Sequence, residues 1–131
     1  MNAVMLSNDY QLVNVVKKAG IFKEDQLRLI NDITDPLEIM SAIISIRPGL
    51  IIVDDDMLKP DTARLLKSIK KVYVNIFIIF ITSDSSIELG REISQLGVQF
   101  YAHKPLDAEE VVESLISIMR LRLKGNGTHF N

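Results

Sequence analysis

The sequence predicts an α/β domain, a parallel sheet covered by helices on both faces, and three observations carry that expectation. Short apolar runs alternate with longer segments of helical period along the chain. One run, Ile76-Phe77-Ile78-Ile79-Phe80-Ile81, has no polar residue, so it must be buried on both faces and lies inside the sheet. Clusters of polar residues follow directly on the apolar runs, where the strands of such a sheet open into a crevice.

The first strand is expected at Ala3–Leu6, and Ser7-Asn8-Asp9 after it are three good helix-capping residues. The helix they open puts Leu12, Val13, Val15 and Val16 on an apolar face and stops at Gly20. Leu27–Ile30 is a weaker second strand. Asp35-Pro36 opens the next helix, proline being favoured at the first helical position. Its apolar face is Ile39, Ile43, Ile44 and Ile46, and Pro48-Gly49 ends it after Arg47. The third strand, Leu50–Val53, runs straight into Asp54-Asp55-Asp56. After Pro60, Asp61 caps a helix with Leu65, Leu66 and Ile69 facing inward. The all-apolar fourth strand delivers Thr82-Ser83-Asp84, and a helix is expected from about there to Gly97. Val98–Ala102 is the last strand, ahead of His103-Lys104-Pro105. Asp107 and Glu110 have capping-box spacing for a final helix through Met119 and beyond. This is (βα)5, for which right-handed crossovers favour the flavodoxin-like strand order 2-1-3-4-5. One domain is expected over 1–124, with a flexible C-terminal tail over 125–131.

Composition narrows the function. The 131 residues suffice to close one hydrophobic core. With 47% hydrophobic and 24% charged residues, a disordered or fibrous chain is set aside. A net charge of −2 provides no basic field for nucleic acid. Arg120, Arg122 and Lys124 read as a solvated last helical turn favoured by the helix dipole, so direct nucleic-acid binding is not expected. Cysteine is absent, which removes thiolate metal sites and thiol nucleophiles. His103 and His129 are too far apart in sequence to make a histidine metal site credible. The N-terminus has no basic n-region and no run reaches membrane-spanning length, so a cytoplasmic protein without membrane attachment is expected.

The carboxyl ends of the strands carry Ser7-Asn8-Asp9, Asp54-Asp55-Asp56, Thr82-Ser83-Asp84 and His103-Lys104-Pro105, which this topology brings to one crevice. They supply a carboxylate nucleophile, a hydroxyl, an ammonium and further carboxylates for a hard cation. That set suits phosphoryl transfer: a carboxylate attacks phosphorus, Mg²⁺ screens the anions, and lysine and threonine hold the phosphoryl oxygens. Plainer readings exist for each piece. Ser7-Asn8-Asp9 serves as a helix cap, the aspartate triplet as loop acidity, Tyr101 as an edge aromatic and His103 as a surface residue.

From Ala3 to about Leu123 the chain resembles the receiver domains of two-component response regulators, which are CheY-like. The segment RPGLIIVDDDM resembles the strand bearing the phosphorylated aspartate, IIFITSD the strand ending in the switch hydroxyl, and YAHKPLDAEEVVESL the Lys-Pro junction. The resemblance implies that Asp54 is the phosphoacceptor, Thr82 the hydroxyl that shifts toward the acyl phosphate, and Lys104 the partner of the phosphoryl group. It makes Tyr101 the aromatic switch residue and Pro105 the proline of the junction, often after a cis bond. It implies Mg²⁺ as cofactor and a histidine kinase or phosphotransfer protein as phosphoryl source. The downstream protein target would dock on the face of the fourth helix, fifth strand and fifth helix, where receivers also form homodimers.

The sequence departs from the family at the metal pocket. Receivers place two acidic residues straight after the first strand, and the helical phase aligns those positions with Ser7 and Asn8. Weaker Mg²⁺ binding follows, with Asp54, the backbone carbonyl of Asp56, and Asp9 and Asn8 as the ligands that remain. Three functions therefore stay open. One is a phosphoacceptor signalling by protein contact, as stand-alone receivers do, although a fragment of a longer regulator would read the same. Another is a degenerate receiver acting as a phosphorylation-independent interaction module. The third is a haloacid dehalogenase-like phosphatase with Asp54 as nucleophile and Asp56 as general acid. It is disfavoured because Leu58 replaces the usual Thr or Val and the acidic pair expected on a later strand beyond the lysine has no counterpart. Asp54→Ala is expected to be tolerated or slightly stabilising, through relief of a carboxylate cluster.

Overall fold

In the computed structural model the described residues are 1–128, with side chains to Lys124. The elements run β1 (Ala3–Leu6), α1 (Tyr10–Lys18), β2 (Leu27–Ile30), α2 (Pro36–Ile46), β3 (Leu50–Asp54), α3 (Asp55–Leu58), α4 (Thr62–Val72), β4 (Phe77–Thr82), α5 (Ile87–Ser94), β5 (Phe100–His103) and α6 (Ala108–Thr128). The sheet is five-stranded and parallel, in the expected order β2-β1-β3-β4-β5. Strand alternation sorts the core into two layers. Ala3, Met5, Leu50, Ile52, Ile79 and Ile81 face α1 and α6, where Leu12, Val16, Val111, Leu115 and Ile118 close over them. Val4, Leu6, Ile51, Val53, Ile78 and Phe80 face the opposite way, against Ile39 and Ile43 of α2, Leu66 and Ile69 of α4, and Ile93 of α5. β4 is buried along all but its first residue, as an all-apolar strand must be.

Several expected details shift. α3 is a single turn that the acidic triplet gave no reason to expect, so the expected fourth and fifth helices are α5 and α6. Ile44 is 50% exposed, outside the apolar face assigned to it. Asp61 stands at the cap of α4 without a side-chain capping bond. α5 starts at Ile87 and not near Thr82, because Thr82 and Asp84 spend their side chains on a local turn. The Asp84 N–H donates to Thr82 Oγ1 at 2.9 Å and the Ser86 N–H to Asp84 Oδ1 at 2.8 Å. Ser86 then caps the helix by accepting from the Leu89 N–H. β5 begins at Phe100, two residues later than expected, and includes His103. α6 keeps helical backbone to Thr128, past the expected boundary at 124. The remainder of the expected tail, residues 129–131, lies outside the described residues.

Candidate functional site at the carboxyl edge of the sheet

The register Leu6↔Val53, Asp54↔Ile81 and Thr82↔His103 levels the strand ends, so the residues that follow them meet. Asp54, the last residue of β3, is fully buried. Its Oδ2 accepts from Ser7 Oγ at 2.7 Å and from Lys104 Nζ at 3.0 Å, while Oδ1 accepts from the Asp56 N–H at 3.1 Å. A buried carboxylate needs such donors, since burial without them strongly disfavours the charge.

Lys104 reaches in from the β5–α6 junction, its N–H anchored on the Thr82 carbonyl at 2.9 Å and its bond to Pro105 cis. Its ammonium lies 3.0 Å from Asp9 Oδ2, 3.0 Å from Asp54 Oδ2 and 3.2 Å from Asp56 Oδ2. Burial works against the charge, but hydrogen bonds with Asp54 and Asp9 and the negative charge of Asp54 outweigh it, so the lysine pKa is raised. Asp9 and Asp56 move the other way. Burial would raise them, yet Asp9 is lowered by Lys104 and by the Leu12 and Gln11 N–H groups that it caps. Asp56 is lowered by the Ser83 hydroxyl and N–H and by Lys104. Asp9 thus does both jobs the sequence offered it, capping α1 and joining the crevice. Asn8 is exposed, and among the described residues no side-chain hydrogen bond ties it to the cluster.

Thr82 is fully buried, and its hydroxyl does not point to Asp54. Oγ1 donates to Asp55 Oδ2 at 2.8 Å and accepts from the Asp84 N–H. Tyr101 stacks on Phe80 with ring centroids 5.1 Å apart, and His103 meets its edge at 5.4 Å. Among the described residues the buried Tyr101 hydroxyl has no hydrogen-bond partner. Asp55, like Ser83, has no individual role legible in the sequence. Strand alternation carries what signal there is for Asp55: Ile51, Val53 and position 55 share a face, as do Phe80 and Thr82 next door.

The donor set fits a divalent cation of the Mg²⁺ kind. Three carboxylates converge on one ammonium, leaving an anionic excess, and hard oxygen donors are what such an ion takes. Among the described residues no three acidic or histidine side chains form a ready cage.

The model of the response regulator receiver domain family matches residues 5–116. Two proteins of Bacillus subtilis (strain 168) are similar in sequence. The uncharacterized transcriptional regulatory protein YesN is 25% identical over 131 residues, 98% of this chain and 35% of that protein. Sporulation initiation phosphotransferase F is 24% identical over 86 residues, 66% of this chain and 69% of that protein. The chain therefore spans only about a third of the length of the first. In fold, it is similar to the response regulator receiver domain protein (CheY-like) from Methanospirillum hungatei JF-1. The TM-score is 0.76 at 16% identity, covering 95% of this chain and 98% of that one.

Proposed function

The chain belongs to the response regulator receiver domain family of two-component signalling, and from that premise we propose that Asp54 accepts a phosphoryl group. The observation that carries the assignment is the convergence of the Lys104 ammonium on the buried Asp54 carboxylate at the carboxyl edge of the sheet. Asp54 is a single anion held by three donors, from Ser7, Lys104 and the Asp56 backbone, so it is oriented before any phosphodonor arrives.

Phosphoryl arrival from a histidine kinase or phosphotransfer protein exchanges a P–N bond on the donor's imidazole for a P–O bond on Asp54. Lys104 moves with the charge and pairs with a phosphoryl oxygen, and its release from Asp9 and Asp56 frees their carboxylates. Mg²⁺, when bound, neutralises charge between these carboxylates and the phosphoryl oxygens. Asp54, the Asp56 carbonyl and Asp9, with Asn8, are the residues that would hold it. Thr82 then turns its hydroxyl to the acyl phosphate, and Tyr101 and Pro105 relay the change to the face of α5, β5 and α6. A downstream protein or a second copy of the chain reads that face, with no direct nucleic acid and in the cytoplasm. Among the described residues no helix is long and apolar enough to cross a membrane.

Intact mass after incubation with Mg²⁺ and acetyl phosphate tests the proposal. The expected result is one added phosphate per chain, absent in Asp54→Asn and reduced when EDTA removes the metal. No adduct from acetyl phosphate or from a phosphohistidine donor would refute it and leave the interaction-module reading.

A further inference from the structure

Asp55 is a buried carboxylate, 2% exposed, that the phosphoacceptor chemistry does not use. It opens α3 directly after Asp54, and its side chain reaches Thr82 on the face of the sheet that holds Phe80 and Tyr101. There it takes the Thr82 hydroxyl proton in a 2.8 Å bond between two buried groups. A hydrogen bond to an ionised acceptor is roughly twice as strong as a neutral one, and shorter. The same hydroxyl is needed at Asp54 once phosphate arrives, and one hydroxyl has one proton to donate. On the same face of the sheet Tyr101 stacks on Phe80, and among the described residues its buried hydroxyl has no hydrogen-bond partner. Burial first, and then the negative charges of Asp55 and Asp84, push its pKa up.

We propose that Asp55 is a positioning residue: its carboxylate latches the Thr82 hydroxyl away from Asp54 at rest and takes the Tyr101 hydroxyl in exchange when Thr82 leaves. The exchange settles two otherwise costly states. Without Asp55, Tyr101 has no acceptor, and without Tyr101, Asp55 would be left a buried anion short of a donor. It rests on the reading of Asp54 as phosphoacceptor, because that is what calls Thr82 away. The latch sets how readily the domain switches, and it ties Tyr101 to Thr82 through a shared acceptor as well as through space.

The test separates the latch from that reading. In the unphosphorylated chain, three-bond couplings of the Thr82 γ2-methyl group report its rotamer by NMR. The latch fixes one rotamer in the wild-type chain and lets it average in Asp55→Asn; couplings unchanged by the substitution would overturn it, whatever happens at Asp54. The second readout is the affinity for beryllofluoride with Mg²⁺, a mimic of the acyl phosphate, followed by tyrosine fluorescence. Asp55→Asn should tighten binding about tenfold, the step between a charged and a neutral acceptor. In a Thr82→Ala background the same substitution should change it less than about threefold, because there is no hydroxyl to release. An equal gain in both backgrounds would mean simple removal of repulsion and would also overturn the latch. Failure of the wild-type chain to bind beryllofluoride or accept phosphate sinks the phosphoacceptor reading alone, with the couplings still deciding the latch. Should Asp55→Asn not fold, Tyr101→Phe serves: it leaves Asp55 without a donor once Thr82 turns, so beryllofluoride should bind about tenfold more weakly, and an unchanged affinity would overturn the exchange.

Discussion

At the scale of single residues, the Lys104 ammonium faces the carboxylates of Asp9, Asp54 and Asp56. Expecting relief from Asp54→Ala considered only the repulsion among carboxylates. Lys104 already offsets that repulsion, and the substitution also strands the buried Ser7 hydroxyl and the Asp56 N–H. Urea unfolding should therefore show Asp54→Ala destabilised by roughly 1–3 kcal/mol, the usual cost of orphaned buried donors. An unchanged midpoint would restore the repulsion argument. Ser7 stands where receivers carry an acid, and its hydroxyl is spent on Asp54. Ser7→Asp should raise Mg²⁺ affinity about tenfold by calorimetric titration, since added ligand charge tightens such sites. It should also cost stability in EDTA, because a further buried carboxylate then meets Asp54 without a cation. A variant that binds Mg²⁺ no better would mean that position 7 has no path to the metal.

Among the elements, β4 was the most legible and also bears the most on the core. Its apolar run needs burial on both sides, and the structure gives it β3 on one edge and β5 on the other. Phe80 packs with the α2–α4 layer and stacks on Tyr101. Phe80→Ala is expected to cost about 3–5 kcal/mol and to loosen the Tyr101 ring, visible as lost dispersion of its NMR signals. A cost under about 1 kcal/mol would mean the layer collapses into the space without strain. The starts of α3 and α5 were not legible. Asp, Ser and Thr after a strand read as helix caps, but here Asp54 caps α3 while also serving the crevice, Thr82 and Asp84 hold a local turn ahead of α5, and others bond across the crevice. Asp56 takes Ser83, and Asp55 takes Thr82. Local pattern cannot tell a cap from a tertiary partner when the same oxygens serve both.

For the whole molecule, the sheet order and the meeting of four polar clusters followed from apolar runs in register, and so were open to sequence reasoning. Asp54, Lys104, Asp9 and Thr82 were legible because each sits at the carboxyl end of an apolar strand or within three residues of one. Asp55 was not, because three identical residues in a row hide which one turns inward until the strand face is counted. The charge arrangement also sets a pH profile. Asp9 and Asp56 have lowered pKa values, so the stability they contribute is present above the unfolded value of about 3.9 and lost as pH falls through their folded values. Lys104 is raised, so its contribution is present below about 10.4 and lost only as pH climbs through its folded value. Thermal unfolding in EDTA should hold a plateau between roughly pH 4 and 10 from these groups, and Asp56→Asn should soften the acid limb. An acid limb untouched by that substitution would place the lost stability in other carboxylates.

The central claim is that, of three consecutive aspartates, the one on β3 carries the phosphate. Borohydride reduction of the acetyl phosphate-treated chain converts an acyl-phosphate aspartate into homoserine, which peptide mass mapping locates. The account predicts homoserine at position 54 alone. Homoserine at 55 or 56, or none despite intact mass showing phosphate, would contradict it.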